Sequence, residues 1–232
     1  MDHTIPVVIN NFNRLTLTRN LAEDLYRKGY TNVHILDNNS TYPKLLEWYN
    51  STDCQSKYTV KRLTQNHGAL SIYNSDYINT WLNKKEWIAY TDCDIILNPL
   101  CPNNFIDILI LFAQKYSVLK AGLALKRDDL PDNLYGNHYR EWEHRYWTKE
   151  AELEKDVYKA DIDTTFCIIR PGQPFDYTAI RIAGNFTAKH GPWYLQWNNL
   201  DEEETYYLEH SSNNSSQKRF WNNEILKRQP YI

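Results

Sequence analysis

Two aspartates separated by one residue, Asp92 and Asp94, are the strongest chemical feature of the sequence. They follow an apolar run at 87–90 and precede Ile95-Ile96-Leu97, so they lie at the end of a predicted strand. If the backbone turns there, both carboxylates reach one hard cation, which keeps coordination positions open for phosphate oxygens. Like charges so placed repel each other without a cation. The pattern therefore predicts a metal site, with a solvated turn as the alternative.

Strand and helix patterns alternate around this pair in the first half of the chain. Apolar runs predict strands at 5–9, 33–36, 58–63 and 87–90, and amphipathic segments predict helices at 15–28, 42–49 and 70–82. Strands joined by helices imply crossover connections. We expect an α/β, Rossmann-like fold with a mainly parallel sheet and helices on both faces.

Clusters of polar residues follow the predicted strands. They lie at 10–14, 37–40, 66–68 and 92–94. Because ligands bind outside the carboxyl ends of parallel strands, one rim of the sheet should collect all four clusters.

The second half of the chain is less regular. Its charged and aromatic segment at 126–155 predicts a loop followed by a helix at the edge of the site, and residues 162–170 predict a strand. The Ser- and Asn-rich residues 211–217 are interpreted as a solvated loop. With 232 residues, the chain has the length of one domain, 1–232.

The composition limits the classes of partner. A net charge of -3 gives no general attraction to nucleic acid, so we expect no nucleic-acid partner. The four cysteines form no Cys-x-x-Cys pair, which argues against a zinc site. The polar start of the chain does not resemble a signal peptide, and no run approaches ~18 apolar residues, so we expect no transmembrane segment and a cytoplasmic location. The 18 Tyr and 8 Trp provide packing area or, alternatively, flat platforms for sugar rings.

Residues 5–99 resemble the nucleotide-binding half of GT-A glycosyltransferases, a family of nucleotide-diphospho-sugar transferases with an Asp-x-Asp motif. The resemblance rests on four stretches in the family's order, at 6–14, 33–40, 65–69 and 90–94. It implies a single GT-A domain, in which 1–99 bind the nucleotide sugar and 100–232 form the acceptor side.

The same resemblance assigns roles along the donor. It places Asn11 and Arg14 along the nucleotide, Asp37 with its neighbour Asn38 at the base or ribose, and Asn66 at the nucleoside. These roles suit the residue types, because a carboxylate accepts from ribose hydroxyls and arginine pairs with phosphate. The alternatives are a turn or helix cap at Asp37 and Asn38, and a surface charge at Arg14.

His190 is a third candidate metal ligand by resemblance. The stretch Lys189-His190-Gly191-Pro192-Trp193-Tyr194 resembles a late region of some GT-A enzymes in which a histidine joins the two aspartates. Imidazole suits Mn²⁺ better than Mg²⁺, so Mn²⁺ is the expected ion and Mg²⁺ the alternative. Lys189 would face the leaving diphosphate and Trp193 would stack on a sugar, while an ordinary packed loop explains the same residues.

Asp161 and Asp163 are the candidates for the catalytic base of an inverting transfer. They flank the start of the predicted strand, and their spacing puts them on one face. Asp163 is preferred because it leads directly into the apolar run; both are alternatively structural or bind acceptor hydroxyls. The acidic run 201–204 departs from the family's usual Glu-Asp pattern and predicts a helix cap, so retention or inversion stays open.

These residues predict a metal-dependent glycosyltransferase. It would transfer a sugar from a UDP-sugar or other nucleotide sugar to a glycan or other hydroxyl acceptor. One alternative is a sugar-nucleotide nucleotidyltransferase, although the Gly-rich basic loop that such chemistry needs is missing after the first strand. The other alternative is a non-catalytic carbohydrate-binding protein. The sequence indicates neither the sugar, the acceptor nor the oligomeric state.

Overall fold

A ten-stranded sheet runs through both halves of the chain. The computed structural model describes residues 4–80, 87–213 and 215–222. The strands are β1 (Val7–Asn11), β2 (Val33–Asp37), β3 (Thr59–Arg62), β4 (Ile88–Asp92), β5 (Ile95–Leu97), β6 (Lys120–Leu125), β7 (Glu152–Glu154), β8 (Val157–Lys159), β9 (Cys167–Ile169) and β10 (Ile180–His190).

The strand order is β3-β2-β1-β4-β9-β6-β10-β8-β7, and β5 pairs with β10. Strands β3, β2, β1 and β4 are parallel neighbours. Strand β9 runs antiparallel between β4 and β6, and β10 is parallel to β6. Strands β1, β2, β3, β4, β6 and β10 therefore share one direction, which confirms the predicted mainly parallel sheet.

Helices cover both faces of this sheet. They are α1 (Thr16–Arg27), α2 (Pro43–Tyr49), α3 (Thr52–Lys57), α4 (Ser71–Asn74), α5 (Phe105–Lys115), α6 (Leu134–His144), α7 (Glu202–His210) and α8 (Ser216–Asn222), with 3₁₀ helices at Asp76–Thr80 and Gly191–Tyr194. Alternation along β1 explains the two layers: Val7 and Ile9 join the core cluster that contains Leu21 of α1, whereas Val8 joins a second cluster with Ile72 of α4.

The first-half elements agree closely with the sequence patterns. Strands β1 to β4 overlap the four predicted runs, and α1 and α2 lie within the segments predicted at 15–28 and 42–49. Gly29 follows α1 with a φ of 95°, a left-handed conformation that glycine adopts without strain.

Two predicted elements are shorter than expected. The helix predicted at 70–82 is interrupted at Ser75, which has extended backbone angles and whose hydroxyl donates to Ser71 O at 2.6 Å. A serine that bonds the preceding turn in this way competes with the helix. Positions 81 and 82 of the predicted helix lie outside the described residues. The strand predicted at 162–170 is formed only at Cys167–Ile169.

A helix that spans a bilayer must be both long and apolar. Within the described part of the chain, no helix is long and apolar enough to cross one.

Candidate active site

Parallel register brings the polar strand ends to one rim of the sheet. Asn10 of β1 lies opposite Asp92 of β4, and Asn11 lies opposite Asp37 of β2. The residues after β2 then close over this rim, because Asn38 Nδ2 donates to Asn10 Oδ1 at 2.7 Å. The geometry follows from the sheet itself, since parallel strands present their carboxyl ends on the same side.

Asp92 is the last residue of β4 and is held by the segment before β9. Its Oδ2 accepts a 2.6 Å hydrogen bond from the hydroxyl of Thr164, and its backbone N–H donates to Thr164 O at 3.0 Å. Removal from bulk water raises the pKa of Asp92 well above its ordinary value, and the negative charge of Asp94 raises it further. A nearby cation would favour the ionised form of this carboxylate.

Asp94 is buried and shares a charge network with Arg14. Arg14 Nη1 donates to Asp94 Oδ2 at 2.6 Å, and Arg14 Nη2 donates to Glu204 Oε2 at 2.9 Å. The guanidinium also lies 3.7 Å from the centre of the Tyr207 ring. Arg14 is only 2% exposed, so its immediate partners are protein groups. The second oxygen, Asp94 Oδ1, is buried and accepts no hydrogen bond from the residues that the structure describes.

His190 reaches Asp94 through strand pairing. It ends β10, lies opposite Ile95 of the antiparallel strand β5, and is followed by Gly191, whose N–H donates to Asp94 O at 2.8 Å. His190 Nε2 lies 3.6 Å from Asp94 Oδ1, which is longer than a hydrogen bond. His190 Nδ1 is buried and has no hydrogen bond among the described residues.

Asp92, Asp94 and His190 are the candidate ligands for a divalent cation. Among the described residues, no three His, Cys, Asp or Glu side chains lie in an arrangement that could hold a metal ion. The three candidates instead line one cavity, where Asp94 Oδ1 has no hydrogen bond and Asp92 is costly to ionise. This arrangement fits a cation whose coordination is completed by oxygens of a bound ligand.

A polar cavity of about 360 Å³, here named the strand-end cavity, opens beside the two aspartates. Its walls include the predicted residues Arg14, Asn38, Asn66, Asp92, Asp94 and His190. Further lining residues are Asn10, Phe12, Gly68, Ala69, Cys93, Tyr207, Ser211, Ser212, Ser215, Ser216, Gln217 and Arg219. Six candidates chosen from separate stretches of sequence therefore meet around one space.

Asn11 and Asp37 lie beneath this cavity and are not part of its lining. Asp37 is fully buried and accepts hydrogen bonds from Ser40 N at 3.0 Å and from the Tyr49 hydroxyl at 3.1 Å. Asn11 Nδ2 donates to the same hydroxyl at 2.8 Å. The hydrogen bond from Ser40 N to Asp37 forms a turn, which is the alternative role that the sequence left open for Asp37. A contact between Asp37 and a nucleotide stays a prediction.

A second cavity, of about 730 Å³, lies on the other side of Asp92 and is here named the aromatic cavity. Its rings are those of Tyr139, Trp142, Tyr146, Tyr177, Trp193 and Phe220. Its charged side chains are those of Asp92, Glu143, Arg145, Asp161, Asp163, Arg181 and Arg219. The aromatic and strand-end cavities share the lining residues Asp92, His190, Ser216 and Arg219, so they meet at the candidate metal site.

Asp161 and Asp163 both line the aromatic cavity, but not for the reason that the sequence suggested. Both precede β9 in irregular backbone, so strand alternation does not place them on one face. Asp163 Oδ1 accepts from the Thr165 hydroxyl at 2.7 Å and from Thr165 N at 3.1 Å. Loss of surrounding water acts to raise the pKa of Asp163, but these hydrogen bonds outweigh it and lower the pKa.

Lys189 and Trp193 differ in their position relative to the cavities. Lys189 Nζ lies 2.7 Å from Asp129 Oδ2, and Lys189 lines neither cavity. Trp193 is buried, lines the aromatic cavity and stacks on Tyr139 with 4.5 Å between ring centroids. Its ring is thus engaged by a protein ring, in agreement with the packed-loop alternative, and stacking on a sugar stays a prediction.

Sequence reasoning missed the buried pair of Glu143 and Arg181 in the aromatic cavity. Arg181 Nη1 lies 2.8 Å from Glu143 Oε2, and the two side chains are 5% and 2% exposed. Burial raises the pKa of Glu143 despite the opposing charge of Arg181. The only available signal was the spacing of Tyr135, Tyr139 and Glu143, which puts all three on one face of α6.

The segment interpreted as a solvated loop, 211–217, also contributes to the site. Ser211, Ser212, Ser215 and Ser216 line the strand-end cavity. Gln217 is buried, and its Oε1 accepts from Arg14 Nη2 at 2.5 Å. The solvated-loop interpretation agrees with residues 211–213, which lie in irregular backbone with Ser212 and Asn213 exposed, but it is wrong for Gln217, which is buried in α8. Local composition predicts polarity, but it does not reveal that Arg14 has a polar partner in this segment.

The acidic run at 201–204 caps helices, as predicted. Asp201 accepts from Glu204 N at 2.8 Å at the start of α7. Glu203 accepts from the backbone N–H of Thr16, the first residue of α1, at 2.9 Å. These contacts attach α7 to the amino-terminal end of α1, next to Arg14.

Comparison with known proteins supports the fold. No protein-family model matches the chain, and no curated protein does. Among solved structures, the mannosyltransferase PcManGT from Pyrobaculum calidifontis, in complex with GDP-Man and Mn²⁺, matches with a TM-score of 0.51 and 13% sequence identity. The match covers 88% of this chain and 59% of the length of that one. At such an identity the likeness shows the fold alone, and it confirms the predicted glycosyltransferase-type α/β fold.

Proposed function

We propose that this chain is a metal-dependent glycosyltransferase that uses a nucleotide sugar. The observation that carries the proposal is the junction of the two cavities. Asp92 and His190 line both cavities, and Asp94 lies beside them in the strand-end cavity. A polar space on one side and an aromatic space on the other suit the nucleotide and the sugar-accepting partner, respectively.

On the donor side, Asn38 and Asn66 are proposed to contact the nucleoside, with UDP as the first nucleotide to test. Asp92, Asp94 and His190 would hold Mn²⁺, or Mg²⁺ as the alternative. When bound, the cation neutralises the charge that develops on the leaving diphosphate. The solved neighbour is in complex with GDP-Man and Mn²⁺, so GDP is the second nucleotide to test.

On the acceptor side, a hydroxyl of a glycan or other acceptor would enter the aromatic cavity. In a direct displacement, the hydroxyl proton passes to a carboxylate and its oxygen bonds to the anomeric carbon. The bond from that carbon to the diphosphate breaks, and its electron pair stays on the diphosphate. Asp163 is the proposed base and Asp161 the second candidate, because both line this cavity.

The proposed division of labour is that 1–99 form the donor half and 100–232 the acceptor half of one domain. His190 departs from this division, since it belongs to the second half and lies 3.6 Å from Asp94 of the first. The transferred group is proposed to be a hexosyl or deoxyhexosyl group.

The test is a thermal-shift screen of UDP- and GDP-sugars with and without Mn²⁺, followed by an assay for release of the nucleoside diphosphate. A ligand present at a hundredfold excess over Kd stabilises the native state by about 2.7 kcal/mol. Metal-dependent shifts followed by sugar transfer are the expected result. Shifts without any release would identify a binding module, and release of pyrophosphate from a nucleoside triphosphate with a sugar phosphate would identify a nucleotidyltransferase. The absence of any shift would overturn the proposal.

A further inference from the structure

An arginine at the junction of the two cavities has no acidic partner within the described part of the chain. Arg219 of α8 lines both the strand-end and the aromatic cavity, together with Asp92 and His190. Among the described residues, no carboxylate lies within ion-pair distance of its guanidinium. An exposed guanidinium in a cavity lined mainly by polar residues is available to an anionic ligand.

The other cations near the site are already paired. Arg14 is bound by Asp94 and Glu204, and Arg181 is bound by Glu143. Lys189, the lysine that the sequence suggested for the diphosphate, is paired with Asp129 at 2.7 Å and lies outside both cavities. Arg145 lines the aromatic cavity but not the strand-end cavity, and its guanidinium lies 3.6 Å from the centre of the Trp142 ring. Of the cations that the structure describes near the site, Arg219 is therefore the one that lines the junction and has no carboxylate partner.

The side chains around Arg219 fix its place on α8. Phe220 is 8% exposed, and its ring centroid lies 4.3 Å from that of Tyr135. Gln217 is 4% exposed and bonds Arg14. With these two residues anchored in the protein, Ser216 and Arg219, which are three positions apart and so share a helix face, point towards the cavities.

We propose that Arg219 binds the diphosphate of the donor at this junction, with the hydroxyl of Ser216 beside it. This inference rests on the proposed function. A nucleotide sugar that spans the two cavities must pass its linker, the diphosphate, through the junction. Arginine matches this group because its planar guanidinium forms two parallel hydrogen bonds to phosphate oxygens.

The chemistry of transfer makes a cation useful at this point. Cleavage of the bond to the anomeric carbon leaves an additional negative charge on the departing diphosphate. The two aspartates of the site supply no positive charge, and Arg14 is shared between Asp94 and Glu204. Arg219 supplies a positive charge that these carboxylates do not consume, and its pairing strengthens as the diphosphate becomes more anionic.

The experiment is calorimetric titration of UDP, UMP, GDP and GMP in the presence of Mn²⁺, using wild type, Arg219→Gln and Arg219→Lys. Arg219→Gln should weaken diphosphate binding about ten- to a hundredfold, as expected for loss of a charge-assisted contact, and should affect the monophosphates less. The diphosphate affinity of Arg219→Lys should lie between those of wild type and Arg219→Gln, because lysine keeps the charge and loses the planar geometry. Arg19→Gln, at a side chain that is 52% exposed and pairs with Glu23, is the matched loss of one positive charge and should leave binding unchanged.

The outcomes separate this inference from the proposed function. If wild type binds none of the four nucleotides, the proposed function fails. If wild type binds a diphosphate and Arg219→Gln binds it equally well, the role of Arg219 is overturned while the function stands. An equal loss for mono- and diphosphates would also overturn it. Should Arg219→Gln fail to fold by circular dichroism, the Arg219→Lys comparison decides: unaltered diphosphate affinity in that variant counts against a bidentate contact.

Discussion

Arg14 Nη1 and Asp94 Oδ2 lie 2.6 Å apart, joining a residue that precedes α1 to the second aspartate of the candidate metal site. The pair is buried, with side chains 2% and 7% exposed, and Glu204 of α7 lies on the other branch of the guanidinium. The arginine thus links the metal site to the helices near the end of the described chain.

Replacement of Arg14 by Met should strongly destabilise the protein. Asp94 and Glu204 would remain buried without their counter-charge, and breaking a buried pair in this way costs about 3–5 kcal/mol. Urea denaturation measures the free energy of unfolding. The double variant Arg14→Met/Glu204→Gln should recover part of the loss, because it removes one of the orphaned charges. A single variant within about 0.5 kcal/mol of wild type would show that the pair contributes little.

Asp92→Asn should weaken Mn²⁺ binding without weakening the metal-free fold. The pKa of Asp92 is raised by loss of solvent and by Asp94, so its charge is unfavourable in the absence of a cation. Asparagine retains an oxygen for the Thr164 hydroxyl, which donates at 2.6 Å in the native protein. Thermal melting without metal should therefore be unchanged or higher, whereas Mn²⁺ titration should show at least about a tenfold loss of affinity.

His190→Gln is the comparator for that metal titration. Its imidazole lies 3.6 Å from Asp94 Oδ1, so we expect weaker but measurable Mn²⁺ binding. Full Mn²⁺ affinity in Asp92→Asn would show that the metal does not bind at this strand end. Full affinity in His190→Gln alone would assign the histidine to packing against Trp193, whose ring centroid lies 4.9 Å away.

Asp163→Asn should lower kcat by about 10²–10⁴ and leave nucleotide affinity unchanged, as expected for removal of a general base. The pH profile identifies the base independently. A base must be ionised, and the pKa of Asp163 is lowered while that of Glu143 is raised. With Asp163 as base, the rate stays constant well into the acidic range. A decline that begins at higher pH and disappears in Glu143→Gln would transfer the role to Glu143.

Acid should destabilise the protein through His34 of β2. Burial lowers the pKa of His34 to about 4, below the value of about 6.5 in an unfolded chain. The unfolded state therefore binds more protons between these values, so the stabilising contribution is complete above about pH 6.5 and is lost as the pH falls towards 4. The loss attributable to this group is at most about 3 kcal/mol.

Urea unfolding of wild type and His34→Gln at several pH values isolates this contribution. The difference in unfolding free energy between the two proteins should shrink as the pH falls from about 6.5. A constant difference across that range would show that His34 titrates alike in the folded and unfolded states.

Local sequence patterns predict the first half of the chain well because each of its elements has its own periodicity. Strands β1, β2 and β4 are short apolar runs, and parallel pairing alone carries Asn10, Asp37 and Asp92 to one rim. The meeting of the polar clusters thus follows from the sequence. The extent of β9 does not follow from the sequence, because the apolar residues before it are buried in irregular backbone and do not form part of the strand.

The remainder of the site depends on contacts between distant segments. Arg14 and Glu204 are 190 positions apart, and neither local sequence specifies the other. Arg14 was predicted as a nucleotide contact, and its enclosure by protein carboxylates is visible only once α7 is placed. Arg219 lies in a segment whose polarity resembles that of an exposed tail, so composition conceals its position beside Asp92.

The pairing of β5 with β10 has a consequence for how the protein is synthesised. His190 comes to rest against Ile95 and Asp94 only after the ribosome has added almost a hundred further residues, and Glu204 follows later still. A nascent chain that ends before Glu204 lacks one of the two carboxylates that pair with Arg14 in the folded protein. The candidate site is therefore complete only after segments almost a hundred positions apart along the chain have packed against each other.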